Sequence, residues 1–98
     1  MQYRIHHLDL VGPYQQQTHF EEEIVKRLPR LEKIFESSST KPLLHIFIKS
    51  PEAGRYSVFA SIQWQGKDVL VKEEGDELDE VANAIVDKLV FKAEKLVQ

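Results

Sequence analysis

Hydrophobic side chains recur along this chain with two different periods, and the periods separate its helices from its strands. From Thr18 to Ser37 they recur every three or four residues, which is the period of an amphipathic α-helix. The Thr-His-Phe-Glu run at its start fits a capping box. A second stripe with this spacing begins after Gly75 and continues for about five turns. The two predicted helices are defined by Phe20, Ile24, Leu28, Leu31 and Phe35, and by Leu78, Val81, Ala82, Ile85, Leu89, Ala93 and Leu96.

Pro29 lies inside the first predicted helix. Proline has no amide hydrogen and its ring crowds the preceding turn, so a kink or a loosened turn is expected there. Because the apolar stripe continues past the proline to Phe35, we predict one helix rather than two.

Strands are predicted where hydrophobic and polar residues alternate or where a short run is rich in β-branched residues. The clearest alternation covers 55–64, and Gln65-Gly66 then forms a tight two-residue turn. That turn places residue 64 opposite 67, 62 opposite 69 and 60 opposite 71. The predicted strands are 3–10, 43–49, 55–64 and 67–74, with a loop at 50–54.

These elements predict a single domain, 1–98, of the α+β class with the order β-α-β-β-β-α. Three successive strands favour an antiparallel meander, and we predict a four-stranded sheet with two helices packed on one face. The other face is then bare, and Phe59 lies on it opposite Lys72. This face is either a platform on which nucleobases stack or the scattered apolar surface of any small protein. The order of elements differs from that of an RNA-recognition motif.

The composition excludes several classes of chemistry. The 98 residues include no cysteine, which removes disulfides, iron–sulfur ligation and cysteine nucleophiles. No apolar run approaches the roughly 18 residues of a membrane span, and the chain opens on a strand-like pattern rather than a signal peptide, so we expect a cytoplasmic protein. His6 and His7 point to opposite faces of a strand, and His19 and His45 lie on different elements, so no metal site is expected. With no phosphate-binding loop and no nucleophile–base pair, we expect neither an enzyme nor a cofactor.

Charge is unevenly distributed, although the net charge is only -3. Residues 26–49 carry six bases and two acids, whereas six of the eight residues from 73 to 80 are acidic. Such a surface can bind a polyanion in spite of a negative total. The plainer interpretation of bases on the last helix is that they complement the helix dipole and keep the protein in solution. The helical wheels place one line of bases beside each apolar stripe, namely Lys26, Arg27, Arg30 and Lys33 on the first helix and Lys88, Lys92 and Lys95 on the last.

Several short runs of the sequence carry a resemblance to one known family. They are Gly66-Lys67-Asp68-Val69, Glu74-Gly75-Asp76-Glu77-Leu78, Ala84-Ile85-Val86-Asp87-Lys88-Leu89, Lys92, Lys95 and Lys26-Arg27-Leu28-Pro29-Arg30-Leu31-Glu32-Lys33-Ile34-Phe35. They resemble the ribosome hibernation-promoting factor family, also called the ribosome-associated inhibitor or sigma-54 modulation protein family. The order β-α-β-β-β-α is the fold of that family, and the similarity covers most of the chain.

The resemblance implies a short-form translation inhibitor that occupies the messenger and transfer RNA channel of the small ribosomal subunit and promotes ribosome hibernation under stress. The implied partner is ribosomal RNA, with no membrane or small-molecule partner, and the free protein is expected to be a monomer. An alternative is a divergent protein-interaction module that has lost RNA binding, favoured by the acidic block and by Phe91, which points away from the core stripe. The residues that the resemblance implies for RNA binding, expected to merge into one strip, are Arg27, Arg30, Lys33, Lys88, Lys92 and Lys95.

Overall fold

A computed structural model describes residues 1–98 as a four-stranded sheet with one layer of helices against one face. The order β-α-β-β-β-α is confirmed, once the broken first helix is counted as one element, and the α+β class with it. No helix combines the length and the apolar character that crossing a membrane requires. The elements are β1 (Gln2–His6), a 3₁₀ turn (Leu8–Val11), α1 (Tyr14–Val25), α2 (Leu28–Ile34), β2 (Leu43–Glu52), β3 (Arg55–Trp64), β4 (Lys67–Gly75) and α3 (Leu78–Leu96).

The predicted start of the first helix at Thr18 is wrong. The helix begins at Tyr14, directly after Pro13, whose carbonyl accepts hydrogen bonds from the amides of Gln16 at 2.9 Å and Gln17 at 3.1 Å. Glutamine is a good helix former, so the glutamine run extends the helix. Thr18 therefore lies inside the helix and forms no capping box.

Pro29 divides the first helix in two, and the prediction of one continuous element is wrong at this point. The proline cannot donate to the carbonyl of Val25, and its ring would crowd that carbonyl. The chain tightens instead: the amide of Arg27 donates to the carbonyl of Ile24 at 3.0 Å, and the amide of Arg30 donates to that of Arg27 at 3.2 Å. Pro29 then sits in the first turn of α2, where no amide donor is needed. The apolar stripe survives the break, because Phe20, Ile24, Leu28, Leu31 and Phe35 are all buried.

The sheet has the strand order β1-β2-β3-β4, with β1 parallel to β2 and the other pairs antiparallel. The predicted hairpin register is confirmed, with Trp64 opposite Lys67. β1 is shorter than predicted because His7 adopts a left-handed conformation, φ 64°, that turns the chain out of the sheet. β2 is longer than predicted because only Ala53 and Gly54, both at positive φ, form the turn to β3.

A single hydrophobic core fills the space between the sheet and the helices. It contains 20 buried apolar side chains and no buried charged or polar residue. Trp64 closes one end of the core. Its ring packs against Phe35 at 5.4 Å, and its Nε1 donates to the carbonyl of Thr40 at 2.9 Å, which holds the loop between α2 and β2.

Candidate nucleic-acid interface

The six bases predicted to bind RNA lie on the helical layer in two groups. We call Arg27, Arg30 and Lys33 the α2 flank, and Lys88, Lys92 and Lys95 the α3 flank. The two groups differ in what their charged atoms contact.

Arg27 is held by other parts of the protein. Its Nη1 donates to Oε2 of Glu23 at 2.6 Å and to the backbone carbonyl of Glu23 at 2.7 Å, and its Nε donates to Oδ1 of Asn83 at 3.1 Å. Only 19% of the side chain is exposed. The hydrogen bond from Arg27, together with one from Lys26, lowers the pKa of Glu23 to about 2. Arg27 therefore ties α1 to α3 and has little donor capacity left for an external anion.

The other two members of the α2 flank are more accessible. Nη1 of Arg30 pairs with Oδ1 of Asp87 at 2.7 Å, and both side chains are about half exposed. Exposed pairs of this kind contribute about 0–1 kcal/mol, so a phosphate could replace Asp87 at small cost. Lys33 is exposed and forms no ion pair.

Lys88 and Lys92 reach across to the outer edge of β4. Nζ of Lys88 donates to the carbonyl of Lys72 at 2.8 Å and pairs with Glu73 at 2.9 Å, while Nζ of Lys92 donates to the carbonyl of Leu70 at 3.3 Å. β4 is an edge strand with unpaired carbonyls, and lysines placed there oppose pairing with a further strand. The two lysines therefore have a structural role besides any role in binding.

Lys95 is the third member of the α3 flank. Its Nζ lies 4.1 Å from the ring centroid of Phe91, whose side chain is 60% exposed. Neither Lys92 nor Lys95 forms an ion pair. A carbonyl or an aromatic ring orients an ammonium group without cancelling its charge, so these two lysines keep their full charge.

An acidic ridge on α3 separates the two flanks. The ridge consists of Glu80, Asp87 and Glu94, which are exposed and align because they are seven residues apart on one helix. Arg30 contacts the ridge from the α2 side, whereas the α3 flank turns the other way, toward β4. The fold thus brings the six bases to one layer, but the continuous strip expected from the sequence is interrupted by the ridge.

The acidic block at 73–80 divides among different surfaces. Glu73 pairs with a lysine of the α3 flank, beside the helices. Glu74 points to the other face of the sheet and pairs with Lys72 at 2.9 Å, whose hydrogen bond and charge lower the pKa of Glu74. Asp79 contacts His19, so the block forms no single carboxylate patch.

Folding also brings together His19, Glu23 and Asp79, whose ligand-type atoms lie within 4.8 Å of one another. The sequence spacing does not reveal this cluster, because one of its members belongs to α3 and is distant in sequence. One imidazole and two carboxylates are ligands that divalent transition metals accept. However, both carboxylate oxygens of Glu23 are occupied by Lys26 and Arg27, whose charges repel a further cation. The contact of His19 Nε2 with Asp79 Oδ1, 2.6 Å, instead links α1 to α3.

No family model and no curated protein matches this chain. Solved structures share its fold, including the following two. The N-terminal domain of Protein Y from Thermus thermophilus aligns with a TM-score of 0.66 and 18% identity, over 78% of this chain and 80% of that one. A ribosomal subunit interface protein from Coxiella burnetii aligns with a TM-score of 0.63 and 15% identity, over 97% of this chain and 93% of that one. The resemblance to the hibernation-promoting factor family is thereby confirmed at the level of the fold.

Proposed function

We propose that this protein binds the small ribosomal subunit, occupies the channel used by messenger and transfer RNA, and so inhibits translation and promotes ribosome hibernation under stress. The observation that carries the proposal is a fold shared with a ribosomal subunit interface protein along nearly the whole of both chains. In this proposal the protein acts by filling a site rather than by catalysing a reaction, and its partner is ribosomal RNA.

The proposed RNA contacts are the α2 and α3 flanks, and their members contribute unequally. Lys33, Lys92 and Lys95 carry uncompensated charge, so each can neutralise a phosphate and release a counterion. Arg30 exchanges its exposed partner Asp87 for a phosphate, and Lys88 exchanges its half-buried partner Glu73. Arg27, the remaining member of the α2 flank, links α1 to α3 and in this way positions the other bases. Shape and backbone contacts suffice for such binding, because structured RNA is recognised largely in that way.

The test is co-sedimentation with purified small subunits at about 50 and 200 mM salt. The wild-type protein is expected in the subunit pellet at low salt and in the supernatant at the higher salt. Lys92→Glu should weaken binding by about tenfold or more, because it replaces a phosphate contact by a repulsion. Arg55→Glu is the matched control, since it makes the same change of charge at the exposed start of β3, away from both flanks. Wild-type protein that stays in the supernatant at low salt, or equal behaviour of the two variants, would contradict the proposal.

A second candidate function is binding of a protein partner, and the groove between α3 and β4 favours it. Phe91 and Leu70, 60% and 61% exposed, line this groove together with Lys88 and Lys92. Exposed apolar pairs rimmed by charges are typical of protein contact sites. A partner captured from nuclease-treated extract by the wild type but not by Phe91→Ser, with no co-sedimentation, would favour this function over ribosome binding.

A further inference from the structure

The sheet face that no helix covers carries a row of side chains that crosses all four strands. His6 lies opposite Phe47, Phe47 opposite Phe59, and Phe59 opposite Lys72. Because neighbouring strands are about 4.8 Å apart, this row extends for about 14 Å across the sheet. We call its three ring-bearing members, His6, Phe47 and Phe59, the aromatic row.

The rings of the row are ordered and reachable from solvent. His6 and Phe47 are stacked with centroids 4.5 Å apart and planes inclined by 9°. His6 Nε2 lies 3.1 Å from Nδ1 of His45, a hydrogen bond that fixes the orientation of both imidazoles. Phe47 is 37% exposed, and Phe59 is half-buried. The row therefore presents planar groups in a fixed arrangement.

Cations surround the aromatic row. Nζ of Lys49 and of Lys72 lie 4.9 and 5.3 Å from the ring centroid of Phe59. Arg4 is exposed on the same face, two residues before the row. Glu74, on the same face, pairs with Lys72 at 2.9 Å and compensates its charge. Lys49 and Arg4 form no ion pair, so this face keeps two uncompensated cations, which are complementary to phosphate.

We propose that the open sheet face is a second binding site, specific for single-stranded RNA. Unpaired bases stack on Phe59 and on the stacked pair of His6 and Phe47. Stacking of this kind tolerates any sequence, because every base has a π face. Lys49 and Lys72 swing from the Phe59 ring to the phosphates as a base takes their place. These cations would not be expected on a face that docks an apolar protein surface.

This site goes beyond the ribosome-binding proposal. It lies on the opposite side of the sheet from the α2 and α3 flanks and uses base stacking rather than backbone contacts alone. Either proposal can fail while the other holds, because substitutions in the aromatic row leave both flanks intact.

The experiment measures fluorescence anisotropy of a labelled oligoadenylate of about ten nucleotides, titrated with protein at about 50 mM salt. Phe59→Leu removes the π face and keeps an apolar side chain, and we expect it to weaken binding by about tenfold. Tyr14→Leu is the matched control, because Tyr14 is also an exposed aromatic residue but lies at the start of α1, outside every site described above. It should leave the affinity unchanged. Phe59→Trp should retain or tighten binding, and circular dichroism checks that each variant is folded.

Three outcomes would overturn the proposal. They are an oligoadenylate that does not bind, equal weakening of binding by Phe59→Leu and Tyr14→Leu, and an abasic oligomer of the same length that binds as tightly as the oligoadenylate. The last result would mean that the lysines attract any polyanion without stacking. A protein captured by this face from nuclease-treated extract, in the absence of oligoadenylate binding, would assign the face to a protein partner. Should Phe59→Leu fail to fold, a Phe59→Trp variant that loses binding contradicts stacking by itself.

Discussion

The α2 flank and the α3 flank arise from the same sequence pattern, a line of bases beside an apolar stripe, yet they end in different electrostatic surroundings. In the α2 flank, Arg27 and Arg30 face carboxylates of the same protein. In the α3 flank only Lys88 does, whereas Lys92 contacts a backbone carbonyl and Lys95 an aromatic ring. A carboxylate cancels the charge of its partner, and a carbonyl or a ring does not. Counting bases on a helical wheel therefore overestimates the charge that a nucleic acid can use.

The cause of the difference is what lies across from each flank. The α2 flank faces α3, whose acidic ridge supplies Asp87. The α3 flank faces the edge of β4, which supplies neutral carbonyls and a single carboxylate, that of Glu73. The two flanks are therefore expected to respond differently to substitution. The larger effect on stability is expected in the α2 flank, and the larger effect on binding in the α3 flank.

The largest effect is expected when Arg27 is replaced. Arg27→Gln removes hydrogen bonds that join α1 to α3 and leaves the carboxylate of Glu23 without its main partner. We expect the melting temperature to fall by about 5–10 °C. Arg30→Gln, the matched variant on the same flank, breaks only an exposed pair and should lower it by no more than about 4 °C. Differential scanning calorimetry measures both, and equal losses would show that Arg27 is no more structural than Arg30.

A smaller effect is expected from substitutions in the acidic ridge, and it is a gain in affinity for small subunits rather than a loss of stability. Asp87→Asn removes the carboxylate that neutralises Arg30. It also removes one charge of the acidic ridge that separates the two flanks. Binding to small subunits should tighten by about fivefold. Glu94→Gln removes a ridge carboxylate that forms no ion pair, and a weaker gain is expected from it. Affinities that fall in Asp87→Asn would show that the ridge aids binding instead of opposing it.

The smallest effect concerns pH. Hydrogen bonds from Arg27 and then Lys26 depress the pKa of Glu23 in the folded protein from 4.5 to about 2. A depressed pKa means that this carboxylate stabilises the fold fully above about pH 4.5 and loses that contribution as the pH falls toward about 2. The melting temperatures of the wild type and of Glu23→Gln should therefore converge over this interval. Glu22→Gln, an exposed neighbour without a partner, serves as the control. If the difference in melting temperature between the wild type and Glu23→Gln stays constant down to pH 2, the lowered pKa does not belong to Glu23.

Local patterns in the sequence predict most of this fold. The Gln65-Gly66 turn alone sets the register of β3 against β4, because a two-residue loop leaves one alignment. A kink at Pro29 was predicted but the division into two helices was not, because the stripe of core residues is compatible with both a continuous and a divided helix. The parallel pairing of β1 with β2 has no local signal, since it joins segments separated by two helices.

The candidate sites were predictable only in part. The helical wheels place five of the six bases on helices, whereas Arg27 lies in the break between α1 and α2. The turn register places Phe59 opposite Lys72. The contacts of the two arginines with α3 could not be predicted, because Asn83 and Asp87 lie 56 and 57 positions from their arginine partners. The His19 cluster shows the same limit, since one of its members comes from α3.

The salt dependence of small-subunit affinity separates the two flanks most directly. Each base that neutralises a phosphate adds close to one unit to the slope of log affinity against log salt concentration. We predict that Lys92→Gln makes this slope shallower by about one unit, whereas Arg27→Gln leaves it unchanged. A slope that responds to Arg27→Gln but not to Lys92→Gln would show that the lysines at the β4 edge do no more than protect the strand.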